Sequence, residues 1–270
     1  MMTKKIGIIG CGNMGEALLR RLSEIMEKST SIMVSEMDAA RRDYIQTKYR
    51  MIVEIDNNVV VKFSDVIILA VKPKDLDEVL SKEICCGVSK KKLLISIVAG
   101  IATRHIEKVV GADVPVIRVM PNMAATVGEA ISSISRGSAA GNEHAETAKQ
   151  IFSTVGKVIE VDEKMVDAIT AVSGSGPAYF FYLIEAMIEG ARDLGLDRDM
   201  ARELVLQTAR GSSKLLEILD EDPAVLRKKV TSKGGTTEAA LSVFDAKKLK
   251  NTVKDALKKA CKRSKELSRR

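Results

Sequence analysis

Aromatic residues make up only 3% of this 270-residue chain, and tryptophan is absent. Proteins that grip single-stranded nucleic acid stack its bases on aromatic side chains. That class has little to work with here, and no nucleic-acid partner is expected. Histidine is nearly absent too, with only His105 and His144, so a mechanism built on a histidine cluster is poorly supported. The four cysteines, Cys11, Cys85, Cys86 and Cys261, form no Cys-x-x-Cys pair. Their spacing argues against a disulfide framework or a zinc site, and for reduced thiols in a cytoplasm. Long apolar runs are also missing. "VIILAV" (66–71) and "LLISIVAGI" (93–101) fall far short of the roughly 20 residues of a membrane helix. The chain enters the strand-like "KKIGIIG" without a cleavable apolar stretch. A cytoplasmic protein without a membrane partner is the expectation.

What is present suits a folded, soluble chain. The hydrophobic share is 46%, enough for a sizeable core. At roughly 100–200 residues per domain, one large or two ordinary domains fit. The net charge of +7 is unevenly spread. Residues 247–270 carry eleven Lys/Arg and two acids, leaving residues 1–246 slightly acidic. Leu249, Val253, Ala256, Leu257, Ala260 and Cys261 give this basic stretch an apolar helical stripe. It reads as a solvated face on a packing helix, with attraction for anionic ligands or partners as the alternative.

The first half alternates strand and helix patterns. "KKIGIIG", "SIMVSE", "VIILAVK", "KLLISIVAG", "PVIRVMPN", "AISSIS" and "KVIEV" read as strands. Between the first two, Met14, Leu18, Leu22 and Ile25 share one helical face. Continuous branched apolar runs suit parallel strands covered on both faces. Such alternation predicts a doubly wound, mostly parallel α/β sheet. After about residue 161 the strand signal stops. The expected division is an α/β domain over 1–161 and an all-α domain over 162–270. The helical half carries segments as apolar as "AYFFYLIEAMI", which must be buried. A homodimer through this half is therefore expected.

Two glycine-rich elements stand out. "GCGNMG" places Gly10, Gly12 and Gly15 as G-x-G-x-x-G, directly after a strand and opening a helix. That context is what a dinucleotide site requires. Gly10 permits the tight turn, Gly12 the approach of a pyrophosphate, and Gly15 close helix–strand packing. Glu36, 21 residues after Gly15, ends the second strand. It either pairs with a ribose 2′-hydroxyl or is an exposed acid at a helix entry, while Arg41 and Arg42 could meet a 2′-phosphate. NADH and NADPH both stay open. Lys72 in "AVKPKD" and Asn122 in "MPN" also follow strand ends. They are candidates for the cofactor's phosphates or ribose and for its nicotinamide amide, respectively, against a surface lysine and a plain Pro-Asn turn. The second element is "TSKGGTTEAAL" (231–241), an anion cradle at a helix start.

Taken together, "GIIGCGNMGEALL", "AVKP", "MPN" with "VGEA", "DAITAVSGSGPAYFF" and "TSKGGTTEAAL" resemble the pyrroline-5-carboxylate reductases. That family catalyses the last step of proline biosynthesis. The resemblance implies a Rossmann-type NAD(P)-binding domain, an all-α dimerisation domain and rings of dimers. It implies hydride transfer from NADPH or NADH to the cyclic imine, giving L-proline. On the cofactor side it points to Gly10, Cys11, Gly12, Asn13, Met14 and Gly15, then to Ser35, Glu36 and Asn57. Ala70, Val71, Lys72 and Pro73 follow, with Ala99, Gly100, Met120, Pro121 and Asn122 toward the nicotinamide. On the substrate side it points to Ser173, Gly174, Ser175, Gly176 and Pro177, and to Gly234, Gly235, Thr236 and Thr237. Four positions depart from the family's pattern. Met123 and Ala124 replace a Thr-Pro pair, Lys233 replaces a proline, and Ala130 stands where glycine is common.

Reducing C=N needs a hydride at carbon and a proton on nitrogen. An imine that protonates in water leaves the protein to align it and hold its charges. Such a task does not need histidine. Gly235, Thr236 and Thr237 offer N–H groups and hydroxyls to a carboxylate. Thr237 is expected nearest the reacting imine as the catalytic residue, against an ordinary threonine N-cap. Ser173 and Ser175 offer further donors or simply cap the next helix. A β-hydroxyacid dehydrogenase would place a lysine in its first long helix after the sheet domain, and "GSGPAYFFYLIEAMIEG" contains none. A non-catalytic NAD(P)-binding regulatory module and a structural helical oligomer with a vestigial site are the remaining alternatives.

Overall fold

The computed structural model describes residues 4–26 and 28–268. The described residues fall into two compact units, one within residues 1–175 and 260–270, the other residues 176–259. Residues 162–175, read from the sequence as the opening of the helical domain, pack within the first unit. There Val166 and Ala171 are buried.

The first unit is built on an eight-stranded sheet. Its strands are β1 (Ile6–Ile9), β2 (Ile32–Ser35), β3 (Val53–Glu54), β4 (Val66–Leu69), β5 (Leu93–Ser96), β6 (Val116–Met120), β7 (Ala130–Arg136) and β8 (Gly156–Glu160). The spatial order is β3-β2-β1-β4-β5-β6-β7-β8. Only the β6–β7 pair is antiparallel. The doubly wound, mostly parallel sheet expected from the alternation is what forms. The edge strand β3, two residues long, is an addition that no apolar run announced.

Burial explains the strand sequences. Every residue of β1, β4 and β5 is buried. Alternate side chains feed two cores, with Ile6, Ile8 and Ile68 on one face and Ile9, Ile67 and Leu69 on the other. A strand covered on both faces has no polar side to show. Aspartates start several helices. Asp38 accepts from the Arg41 N–H at 2.7 Å, and Asp56 from the Asn58 N–H at 2.8 Å. Both use a carboxylate to satisfy an N–H that a first helical turn leaves open.

The second unit is entirely helical, with Gly176–Asp193, Arg198–Leu219, Pro223–Lys229, Thr236–Ala246 and the start of Leu249–Leu267. Among its residues only Gly176, Ala201 and Val205 are buried. Phe180, Phe181 and Tyr182 stay 65%, 59% and 76% exposed. So little buried apolar area cannot offset the conformational entropy of ordering the unit. Its apolar faces need a partner surface. The basic helix Leu249–Leu267 ends in the first unit, where the Ser264 hydroxyl donates to Asp167 at 2.6 Å. Its lysines at 250, 254, 258 and 259 are exposed, a solvated face as expected. Among the described residues no helix is long and apolar enough to cross a membrane.

Candidate active site

β1, β2 and β4 end level with one another, since Ile9 pairs with Ser35 on one side and Leu69 on the other. The residues that follow emerge side by side. The Gly10 N–H donates to the Ser35 carbonyl at 2.9 Å, and the Ala70 N–H to the Ile9 carbonyl at 2.8 Å. Strand order reverses here, with β2 and β4 flanking β1. Open α/β sheets take ligands at such a point, beyond the carboxyl ends of the strands. A crevice of about 480 Å³ opens there, lined by Gly10, Gly12, Ser35–Asp38, Asn57 and Ala70–Lys72 among others.

The turn after β1 is shaped by what glycine lacks. Gly10 has φ +88°, and a Cβ there would stand 2.8 Å from the Ala70 carbonyl oxygen. A Cβ at Gly15 would overlap the Gly10 carbonyl oxygen, so only glycine lets the helix Asn13–Ile25 sit so close. Gly12 is different, because a Cβ there would meet nothing within 4 Å. As N-cap it brings no side-chain hydrogen bond. The helix, begun by Asn13 and Met14, thus turns its positive end toward open space, where an anion such as a pyrophosphate fits.

Cys11 contributes backbone rather than sulfur. It is buried, and burial pushes its thiol up to about 12, so the thiol stays protonated. Its N–H donates to Glu36 Oε2 at 2.8 Å. Ser35 and Asn57 are both buried, and the Ser35 hydroxyl donates to Asn57 Oδ1 at 2.5 Å. Lys72 lines the crevice beside Ala70 and Val71, whereas Pro73 is exposed and outside that lining. Ala99 and Gly100 follow β5. Gly100 has φ +76°, and a Cβ there would lie 3.2 Å from Leu267 Cβ. The C-terminal helix end therefore packs on this loop.

Asn122 joins two segments distant in sequence. Its Nδ2 donates to the Ser173 carbonyl at 3.2 Å, across 51 residues. Pro121 is buried beside it, and a Cβ at Gly174 would come within 2.6 Å of Met120 Cε. Asn122 Oδ1 is buried without a hydrogen-bond partner among the described residues. An orphaned acceptor of this kind carries a desolvation cost unless a ligand donates to it. A primary amide such as the nicotinamide carboxamide has the donor it lacks. Residues Thr170–Gly174 form a π-helical turn, a feature common at functional sites. Within it the Ser173 hydroxyl donates to the Ile169 carbonyl at 3.0 Å. That hydroxyl is thus engaged by its own helix. The Ser175 N–H donates to the Thr170 carbonyl at 2.8 Å, and Gly176 and Pro177 open the next helix.

The second glycine-rich element lies in the helical unit. Gly234 has φ +71°, and its N–H donates to Glu238 at 2.7 Å. The Gly235 N–H donates to the Ser232 carbonyl at 3.1 Å. Of the three N–H groups proposed for a carboxylate, that of Gly235 is thus already engaged. Gly235 is itself the N-cap of the helix Thr236–Ala246. Thr237 is therefore not a capping residue. It stands second in the helix, and its hydroxyl has no protein partner among the described residues. Lys233 is exposed.

Two groups escaped the sequence patterns. Asp38, Asp75, Glu78 and Glu83 line the crevice with Glu36. Asp38 follows β2 closely, but Glu78 and Glu83 lie in helical turns well beyond the end of β4, where no strand-end rule points to them. The other is buried Arg118, 5% exposed and paired with Glu163 at 3.3 Å. Nothing in the spacing of the two residues links them.

Known proteins place this arrangement. Residues 163–267 match the family described as pyrroline-5-carboxylate reductase dimerisation, and residues 5–100 match NADP oxidoreductase coenzyme F420-dependent. The pyrroline-5-carboxylate reductase of Synechocystis sp. is 42% identical over the whole of both chains. The chain belongs to the pyrroline-5-carboxylate reductase family. The Methanosarcina acetivorans reductase is 39% identical, again over both full lengths. A crystal structure of Plasmodium falciparum pyrroline carboxylate reductase with NADP bound superposes with a TM-score of 0.88 at 30% identity, covering 99% of each chain. The Coxiella burnetii reductase gives 0.86 at 33% identity, with the same coverage. A ketol-acid reductoisomerase from an uncultured archaeon shares the fold alone, at 16% identity and a TM-score of 0.66. As in other pyrroline-5-carboxylate reductases, the helical segment is a dimerisation domain, which accounts for its exposed apolar faces.

Proposed function

We infer that this protein reduces the C=N bond of 1-pyrroline-5-carboxylate with NADH or NADPH, forming L-proline. One observation carries the site assignment. "MPN" and "VSGSG" meet through Asn122 and Ser173, and the Asn122 oxygen is left open to a donor. When bound, the nicotinamide supplies the hydride, the hard part of the chemistry.

The chain's own residues bind and orient. The turn Gly10–Gly15 holds the pyrophosphate on the uncapped helix start, with Asn13 and Met14 contributing backbone N–H groups and Cys11 bracing the turn through its bond to Glu36. Ser35, Glu36 and Asn57 meet the adenosine side, and Ala70–Pro73 the phosphates and ribose. Ala99, Gly100 and Met120–Asn122 border the nicotinamide, Asn122 Oδ1 accepting from its amide. The N–H groups of Thr236 and Thr237 hold the substrate carboxylate, with Gly234 and Gly235 shaping the loop and Ser173–Pro177 bounding the ring. The Thr237 hydroxyl hydrogen-bonds the ring nitrogen, its oxygen accepting from the N–H of the protonated imine. Residues 1–161 serve the cofactor, and residues 162–270 serve dimerisation and substrate. The assembly is a homodimer through the helical segment, able to close into a ring of dimers. The unpaired cysteines fit a cytoplasmic setting.

The test is loss of NAD(P)H absorbance on adding pyrroline-5-carboxylate, beside a β-hydroxyacid control. Thr237→Ala should lower kcat/KM by about 10²-fold or more, the scale of a lost acid–base or oxyanion contact, while cofactor affinity stays near normal. Equal activity in the variant removes Thr237 from the mechanism. Turnover of the hydroxyacid alone overturns the imine assignment.

A further inference from the structure

We propose that Glu36 makes this enzyme select NADH over NADPH. The inference rests on the nucleotide site assigned above and extends it to the cofactor's adenosine end. Glu36 directly follows β2, and its carboxylate is fixed rather than free. Oε2 accepts from the Cys11 N–H at 2.8 Å, and Oε1 from the Asp38 N–H at 3.0 Å. Its backbone is clamped as well, the N–H donating to the Glu54 carbonyl at 3.0 Å. Anchored this way, the acid stands on the crevice wall beside Gly10 and Gly12. In dinucleotide folds an acid at this place takes a ribose 2′-hydroxyl, whereas a 2′-phosphate needs a cation.

The two arginines that could serve a 2′-phosphate are engaged elsewhere. Arg41 Nε donates to the Cys11 carbonyl at 2.7 Å, and its terminal nitrogen pairs with Glu16. Glu16 also accepts from Lys48 at 2.8 Å and Tyr49 at 3.0 Å. Tyr44 joins them, bonded to Glu16 at 3.4 Å and to Lys48 at 2.6 Å, so freeing Arg41 means breaking into a five-residue network. Arg42 donates to the Glu36 and Met37 carbonyls at 2.9 and 3.2 Å. Neither arginine lines the crevice. Its described lining holds Glu36, Asp38, Asp75, Glu78 and Glu83 against Lys72 alone. A 2′-phosphate brings about −1.5 to −2 charge to a wall already of that sign. Asp38, Asp75 and Glu78 are exposed and Glu78 pairs with Lys82 at 2.9 Å, so the repulsion is centred on Glu36 and screened by salt.

The chain lacks tryptophan, so calorimetry or the fluorescence of the reduced nucleotide is the readout. The full-length protein is titrated with NADH and with NADPH in the absence of the imine. NADH should bind at least tenfold more tightly at low salt, about 1.4 kcal/mol, with the gap narrowing at high salt. Glu36→Ser should shrink the gap at least tenfold by weakening NADH and strengthening NADPH. Glu36→Gln, which keeps the shape and removes the charge, should do the same for NADPH. Equal or tighter NADPH binding by the unaltered protein overturns the preference while leaving the site standing. So does an unchanged gap in both variants. Failure of both nucleotides to bind removes the nucleotide site itself, and the preference with it.

Discussion

Glu163→Ala is expected to destabilise the first unit far more than an average surface change. Glu163 serves three donors at once. Its Oε1 accepts from the Thr103 N–H at 2.8 Å and from Arg118 at 3.3 Å, and its Oε2 from the Thr103 hydroxyl at 2.8 Å. Thr103 begins the helix Thr103–Val110, whose N-cap, Ala102, has no side-chain donor or acceptor to offer. Glu163 thus acts as that helix's cap from 60 residues away. Removing it also strands Arg118, only 5% exposed and with Nη2 already without a partner among the described residues. Breaking a buried pair by deleting one member costs about 3–5 kcal/mol. Glu163 is itself 26% exposed, so water can partly replace it, and about 2–3 kcal/mol applies. Loss of the cap adds about 1 kcal/mol. The sum of about 3–4 kcal/mol predicts a fall in Tm of about 6–16 °C for a unit this size. Thermal unfolding followed by circular dichroism at fixed protein concentration measures it. Adding Arg118→Met should recover a large part of the loss, because the stranded charge is gone. A Tm within about 1 °C of the unaltered protein, or a double variant no better than Glu163→Ala, would refute the reasoning.

Two further outcomes are expected. Gly15→Ala places a methyl on the Gly10 carbonyl oxygen, which must shift the helix start at a cost of about 1–3 kcal/mol. NADH affinity measured by calorimetry should fall at least tenfold, and unchanged affinity would deny that the turn holds the cofactor. Phe181→Glu puts a charge on an apolar helix face that is 59% exposed in the single chain, and sedimentation should show the oligomer dissociating. A monomeric unaltered protein at micromolar concentration would contradict association through the helical domain.

Much of the sheet was legible because its chemistry is local. "VIIL" and "LLIS" read as doubly covered strands, and both are fully buried. Gly10 and Gly15 were readable as turn and packing glycines because their requirements lie in φ and in the missing Cβ. The two-residue β3 was not, since so short a strand has no period to detect. Thr237 illustrates the boundary between the two levels. A threonine after two glycines at a helix start looks like a cap, but the backbone gives that place to Gly235 and leaves the Thr237 hydroxyl for other work. Residues 162–175 look helical from sequence and are so, in mixed 3₁₀, α and π turns. Which unit they join depends on what Val166 and Ala171 pack against.

By itself, then, the order of residues determined the α/β plan, the helical second half, the nucleotide turn and the family resemblance, because each rests on contacts within a few residues or on a repeating period. The tertiary structure decided the partnerships. Asn122 with Ser173, Arg118 with Glu163, and Glu36 with Cys11 are brought together across 51, 45 and 25 positions, and no spacing rule encodes them. The choice left open at Glu36 shows the difference most clearly. From the sequence, Arg41 was as available to a phosphate as Glu36 was to a ribose. In the folded chain Arg41 is held by Glu16 and the Cys11 carbonyl. To meet a phosphate, the Arg41 guanidinium would have to give up those donors, whereas the Glu36 carboxylate can accept a further hydrogen bond where it stands.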